Sequence, residues 1–133
     1  MDHQTLTRIL YIEDDDDIRE IGQLALQMVG NFEVLACASG AQAIAAAVDF
    51  APQLLLLDVM MPDLDGPATL QQLRKLAPLA HTPVVFMTAK TQAHEVAAYK
   101  ALGAIDVIAK PFDAIQLSQH IRAVWEQAKA TAR

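Results

Sequence analysis

The amino-acid sequence predicts a parallel α/β sheet with helices packed on both faces. Three observations carry that. Short apolar runs alternate with stretches of helical spacing five times along the 133 residues. The runs LLLL (54–57) and VVFM (84–87) are apolar throughout, as strands buried on both faces must be. Strands that alternate with helices feed a parallel sheet through crossover connections.

The elements follow in order. RILYI (8–12) is the first strand. Ile18, Ile21, Leu24, Ala25 and Met28 then recur at helical spacing, and Gly30 is a natural stop. Asp15, Asp16 and Asp17 stand at that helix start, where caps and negative charge are favourable. FEVLAC (32–37) is the second strand; Ser39 caps a helix carrying Ala43, Ile44 and Ala47. Pro52 punctuates, and QLLLL (53–57) is the third strand. Asp65, with Gly66 and Pro67, makes a turn and opens a helix carrying Leu70, Leu73 and Leu76. PVVFM (83–87) is the fourth strand, and a helix from about Gln92 ends at Gly103. AIDVIA (104–109) is the fifth strand, and Asp113 caps a last helix carrying Leu117, Ile121, Val124 and Trp125.

Charge sets the strand order. Glu33 interrupts the second strand and Asp106 the fifth, and internal charges belong at sheet edges. Edges at strands two and five give a flavodoxin-like (βα)5 doubly wound sheet of order 2-1-3-4-5.

Composition narrows the function. The chain is 53% hydrophobic with 5% aromatics, so its core is aliphatic and needs no staple. The expected organisation is one domain over 1–133, with its core at about 7–128 and no output domain after it. The same length also fits one domain cut from a larger protein. A formal charge of −6 argues against nucleic acid and an anionic membrane surface as partners. No run of about 18 apolar residues occurs, so the expected location is cytoplasmic. The single cysteine, Cys37, reads as a buried strand thiol. His3, His81, His94 and His120 are scattered without metal-ligand spacing and read as surface residues.

Ligands of open α/β sheets bind beyond the carboxyl ends of the strands, at the switch in strand order. Those ends deliver Glu13 and Asp14, then Asp58, Thr88 and Lys110. Three converging carboxylates repel one another and call for a cation. All-oxygen donors favour a hard ion such as magnesium, with manganese as a substitute. Lys110 adds a fixed positive charge and Thr88 a hydroxyl donor. A carboxylate nucleophile, a divalent metal, a lysine and a hydroxyl together describe a phosphoryl-accepting site in which Asp58 attacks phosphorus.

The segments YIEDDDD, LLLLDVMMPDLDG, FMTAK and IAKPF, in this order and spacing, resemble the receiver domain of bacterial two-component response regulators, of the chemotaxis-regulator-like single-domain type. The resemblance spans nearly the whole chain. It implies Asp58 as phosphoacceptor and Asp14 as direct metal ligand. Glu13 would act largely through water, and the backbone carbonyl of Met60 would complete the protein's ligands. Thr88 and Lys110 would bind the phosphoryl group, and the Lys110–Pro111 peptide would be cis. The donor would be a sensor histidine kinase or a histidine phosphotransfer protein, and the output an unknown downstream protein. The chain would be a switch that phosphorylates itself and slowly hydrolyses the product. One position departs from the family: many receivers carry Tyr or Phe three residues before the site lysine, where this chain has Val107.

Rival readings fit less well. A haloacid-dehalogenase-type phosphatase needs an acid two residues after its nucleophile, and Met60 stands there. A pseudo-receiver, a binding module outside phosphate control, usually lacks a site residue, and none of the core set is absent. A flavodoxin would carry a Gly/Ser/Thr-rich first loop, whereas EDDDD repels phosphate. The Met60 and Met61 side chains read as packing.

Overall fold

A computed structural model describes residues 5–131. His3 lies outside the described residues. The strands are β1 (Arg8–Ile12), β2 (Glu33–Cys37), β3 (Leu54–Asp58), β4 (Val84–Thr88) and β5 (Ala104–Ala109), all parallel and ordered β2-β1-β3-β4-β5. The helices are α1 (Asp16–Leu24), α2 (Gly40–Phe50), α3 (Gly66–Arg74), α4 (Ala93–Ala101) and α5 (Leu117–Thr131). A π-helical turn, Ala25–Val29, extends α1, and a short 3-10 turn, Ala77–Leu79, follows α3. This is the predicted flavodoxin-like architecture.

Strand alternation builds two cores. Leu10, Ile12, Leu55, Leu57, Val84 and Phe86 face α2 and α3 and meet Ala43, Ala47, Leu70 and Leu73. Ile9, Tyr11, Leu54, Leu56, Val85 and Met87 face the other way and meet Leu26, Ile121 and Trp125. Full burial of each such leucine stabilises the fold by about 1.5–3 kcal/mol. The edge charges are accommodated as expected. Glu33 is exposed and pairs with Arg8 at 2.7 Å. Asp106 is half-buried, accepts a hydrogen bond from the Val107 amide at 2.8 Å and meets exposed His120 at 3.2 Å.

Three of the predicted caps fall where the sequence places them. Asp15, Ser39 and Asp65 accept from the amides of Ile18, Gln42 and Ala68. Asp113, expected to cap the last helix, instead accepts from Ile115 and Gln116 in a turn that precedes the start of α5 at Leu117. Gly103, at φ 109°, follows the end of α4.

Two further expectations need correction. The apolar stripe of the first helix is only partly its buried face: of its five residues Ala25 alone is buried. Ile21, Leu24 and Met28 are 52%, 47% and 78% exposed, and the buried residues are Gly22, Ala25 and Leu26. Gly22 sets that rotation: a Cβ there would stand 2.4 Å from the Tyr11 hydroxyl, so the helix lies close on the sheet along its smallest residue. Met60 is the second. Its side chain is 61% exposed, while Met61 does lean on the core.

Candidate functional site

Parallel pairing carries each predicted residue to one edge of the sheet. Asp58 is the last residue of β3, in register with Met87 on β4. Thr88 ends β4, Glu13 follows β1 directly, and Lys110 follows β5 directly. Neighbouring strands and their loops close around them, so Glu13, Asp58 and Thr88 are 1%, 2% and 1% exposed. Asp14 is half-exposed at the mouth.

One carboxylate oxygen each from Glu13, Asp14 and Asp58 lies within 4.8 Å of the others. Lys110 reaches in from β5: its Nζ donates to Glu13 Oε1 at 2.8 Å and lies 3.3 Å from Asp58 Oδ1. Its backbone amide is anchored on the Thr88 carbonyl at 2.9 Å, and the Lys110–Pro111 peptide is cis. Thr88 turns its hydroxyl toward the β4–α4 loop, where it accepts from the Lys90 amide at 3.0 Å.

Charge is unbalanced here. Three carboxylates face one ammonium, and two of the three are buried. Burial pushes the Asp58 carboxyl up to about 7, the adjacent Glu13 adds to the rise, and Lys110 opposes it. For Lys110, partial burial pulls the pKa down, but the hydrogen bond to Glu13 and the charges of Asp58 and Glu13 outweigh it, and the net shift is upward. On the far side of β1, burial above all, then Glu13 and Asp58, raises the Tyr11 hydroxyl strongly. A hard divalent cation fits this donor set, since all donors are oxygens and the surplus charge is negative.

The structure brings Glu13, Asp14, Asp58, Thr88 and Lys110 to one end of the sheet. It also adds two residues that sequence reasoning passed over. Gly66 was read only as a turn, yet a Cβ there would stand 2.5 Å from the Asp58 carbonyl oxygen. Its amide also donates to the Val59 carbonyl at 2.9 Å, so the loop after β3 closes tightly under the acid. Arg19 stands out by little in the sequence, yet its Nη1 donates to the Glu13 carbonyl at 3.0 Å. The one local sign was its position three residues after Asp16, which it pairs with at 2.7 Å.

The fold and the acidic crevice at its switch point define a class, the doubly wound α/β domains with a cluster of carboxylates at their strand ends. Comparison with known proteins narrows the class. The family model for the response regulator receiver domain matches residues 9–122, and the chain belongs to that family. Chemotaxis protein CheY4 of Vibrio cholerae superposes with a TM-score of 0.81 at 28% identity, over 90% of this chain and 99% of that one. A putative response regulator from Chloroflexus aurantiacus gives 0.79 at 27% identity, over 91% and 98%. Among curated relatives, the transcriptional regulatory protein CseB of Streptomyces avermitilis is 39% identical over 89% of this chain and 48% of its own length. The DNA-binding dual master transcriptional regulator RpaA of Synechocystis is 34% identical over 90% and 49%. The chain thus spans about half the length of these relatives. Their names leave the expectation of no nucleic-acid partner without support. Among the described residues, no helix is long and apolar enough to cross a membrane.

Proposed function

We propose that this receiver domain takes a phosphoryl group onto Asp58 from the phosphohistidine of a sensor histidine kinase or a histidine phosphotransfer protein. The observation that carries the reading is Asp58 itself: a carboxylate 2% exposed at the end of a central strand, with two acids and one lysine around it.

Asp14 and Asp58 would be the direct ligands for magnesium, with the Met60 backbone carbonyl completing the protein's ligands and Glu13 acting largely through water. Manganese suits the same oxygen donors. Bound magnesium supplies positive charge against the oxygens of the transferring phosphoryl group. An Asp58 oxygen forms the new bond to phosphorus as the phosphorus–nitrogen bond of the donor breaks, and the imidazole keeps the electron pair. Lys110 Nζ, already at Asp58, follows the charge onto the phosphoryl oxygens, and Thr88 turns its hydroxyl toward them. Water later cleaves the acyl phosphate. The chain therefore acts as a switch and not as a turnover enzyme, in the cytoplasm, where its kinase phosphorylates it. Its output is a partner that distinguishes the two states. In a family with DNA-binding regulators among its members, nucleic acid belongs among the outputs of the whole protein.

The test is phosphate labelling with acetyl phosphate and magnesium. Wild type should label on an aspartate, and Asp58→Asn should not label at all while keeping its fold. Robust labelling of another residue in that variant would overturn the assignment.

A further inference from the structure

We propose that Arg19 is a positioning residue for the cation: it fixes the loop that carries Asp14 and thereby sets magnesium affinity. The inference rests on the proposed metal role of Asp14 and deepens it.

Asp14 stands apart from its neighbours. Glu13 is held by the Lys110 ammonium and by the Asp15 amide, and Asp58 by Lys110. The Asp14 carboxylate has no hydrogen bond or ion pair to any described residue. Its direction therefore comes from the backbone on either side of it, and Arg19 clamps that backbone. The Arg19 guanidinium spans the loop, with Nη1 on the Glu13 carbonyl at 3.0 Å and Nη2 on the Asp16 carboxylate at 2.7 Å. The two anchors bracket Asp14. The Arg19 side chain is 21% exposed and its bond to the Glu13 carbonyl is partly shielded from water, while Asp16 is 85% exposed and its bond is the weaker anchor. The Arg19 amide donates to the Asp15 carbonyl at 2.9 Å, which ties the clamp to the first turn of α1. The Glu13 amide is held by the Cys37 carbonyl of β2 at 3.1 Å, so the loop is fixed at its strand end as well. A planar fork can satisfy two acceptors at once, and a lysine can reach only one of them in the same geometry.

Electrostatics gives the rival expectation with the opposite sign. Arg19 is a cation near a cation site, so its removal should tighten magnesium by charge alone. A positioning role requires that its removal weaken magnesium, because groups that orient a ligand typically carry about 10–100-fold in metal affinity.

The experiment is calorimetric titration of the full chain with magnesium chloride, on wild type, Arg19→Gln, Arg19→Lys and Asp14→Asn. Circular dichroism without metal checks each fold. Wild type should bind, Asp14→Asn should lose binding, and Arg19→Gln should bind about tenfold or more weaker. Arg19→Lys should fall between wild type and Arg19→Gln. Labelling by acetyl phosphate adds a second readout: Arg19→Gln should need more magnesium for half its maximal rate, yet reach a near-normal rate at saturation. Unchanged or tighter magnesium binding in Arg19→Gln would overturn the inference while leaving the Asp14 reading intact. A rate defect that persists at saturating magnesium would overturn it too. Absence of magnesium binding in wild type would overturn the metal reading itself. If Arg19→Gln fails to fold, Arg19→Lys decides alone, with weaker binding in support and unchanged binding against.

Discussion

Asp58 is a carboxyl group that the fold holds against its own chemistry. Buried at the end of β3 with Glu13 beside it, it keeps its proton up to about pH 7, against 3.8 for an ordinary aspartate. The folded state without metal therefore binds the Asp58 proton more tightly than the unfolded chain does. Stability falls with rising pH wherever the folded state holds more protons. The Asp58 contribution to metal-free stability should thus be most favourable below about pH 4 and should decline through pH 7, by a few kcal/mol at most. Asp58→Asn should flatten that decline between pH 4 and 7 in the presence of chelator, and should melt above wild type at pH 8. Urea denaturation across pH measures both. An unchanged slope in the variant would mean that another group carries it. The sequence announced this residue clearly, because a lone acid after four leucines has no packing reason to be there. Glu13, Asp14, Thr88 and Lys110 were legible for the same reason, since each stands at or just beyond the carboxyl end of a strand. Arg19 and Gly66 were not. What matters in each is a contact with the backbone of another segment, the Glu13 carbonyl for Arg19 and the Asp58 carbonyl for Gly66, and such contacts leave no pattern in residue type.

At the scale of elements, α4 is held differently from its neighbours. None of its residues is buried, whereas α2, α3 and α5 each bury several. Its inner side rests on half-buried Val96 and Tyr99, and Tyr99 meets Phe86 with ring centroids 5.6 Å apart. A capping box of Gln92 and Glu95 closes its start. Phe86 and Thr88 lie two apart on β4 and share a face, so a displacement of Thr88 is felt where Tyr99 leans. Val107 pairs with Phe86 from β5, is half-buried, and is too short and too stiff at χ1 to swing between two places. The readout of phosphorylation should therefore run through the β4–α4 loop and α4. With a beryllofluoride mimic, amide resonances across residues 88–101 should shift, and Val107→Ala should leave those shifts in place. Shifts confined to the acidic pocket would contradict that route. Element positions were legible from the strand runs to within a residue or so. The facing of α1 was not, because periodicity marks an apolar stripe without saying which side of it meets the sheet; small Gly22 and Ala25 decided that by close approach.

The whole molecule separates the place where it binds from the place where it can be watched. Its single tryptophan, Trp125, is 2% exposed in the core beneath α5 and lies beside Pro52, Gln53 and Pro83, where β3 and β4 begin. The acidic crevice lies where those strands end. From Leu54 to Asp58 is four strand steps, about 13 Å of β-sheet. Trp125 is thus a reporter of global unfolding and not of the crevice. The proposed magnesium site exists only in the folded chain, since the three carboxylates are brought together by the sheet, so magnesium should stabilise by RT ln(1 + [Mg]/Kd). A thermal melt followed by Trp125 fluorescence should move to higher temperature in millimolar magnesium, while the emission of the folded protein at 20 °C, which is about room temperature for such measurements, stays as it was. Asp14→Ala separates repulsion from ligation. It removes one of three like charges, so its metal-free melt should lie at or above wild type, and it removes a proposed ligand, so the magnesium shift should shrink or vanish. A wild-type melt indifferent to magnesium would remove the metal from the account. A change in folded-state emission on adding magnesium would show that the two ends of the sheet are coupled through the core.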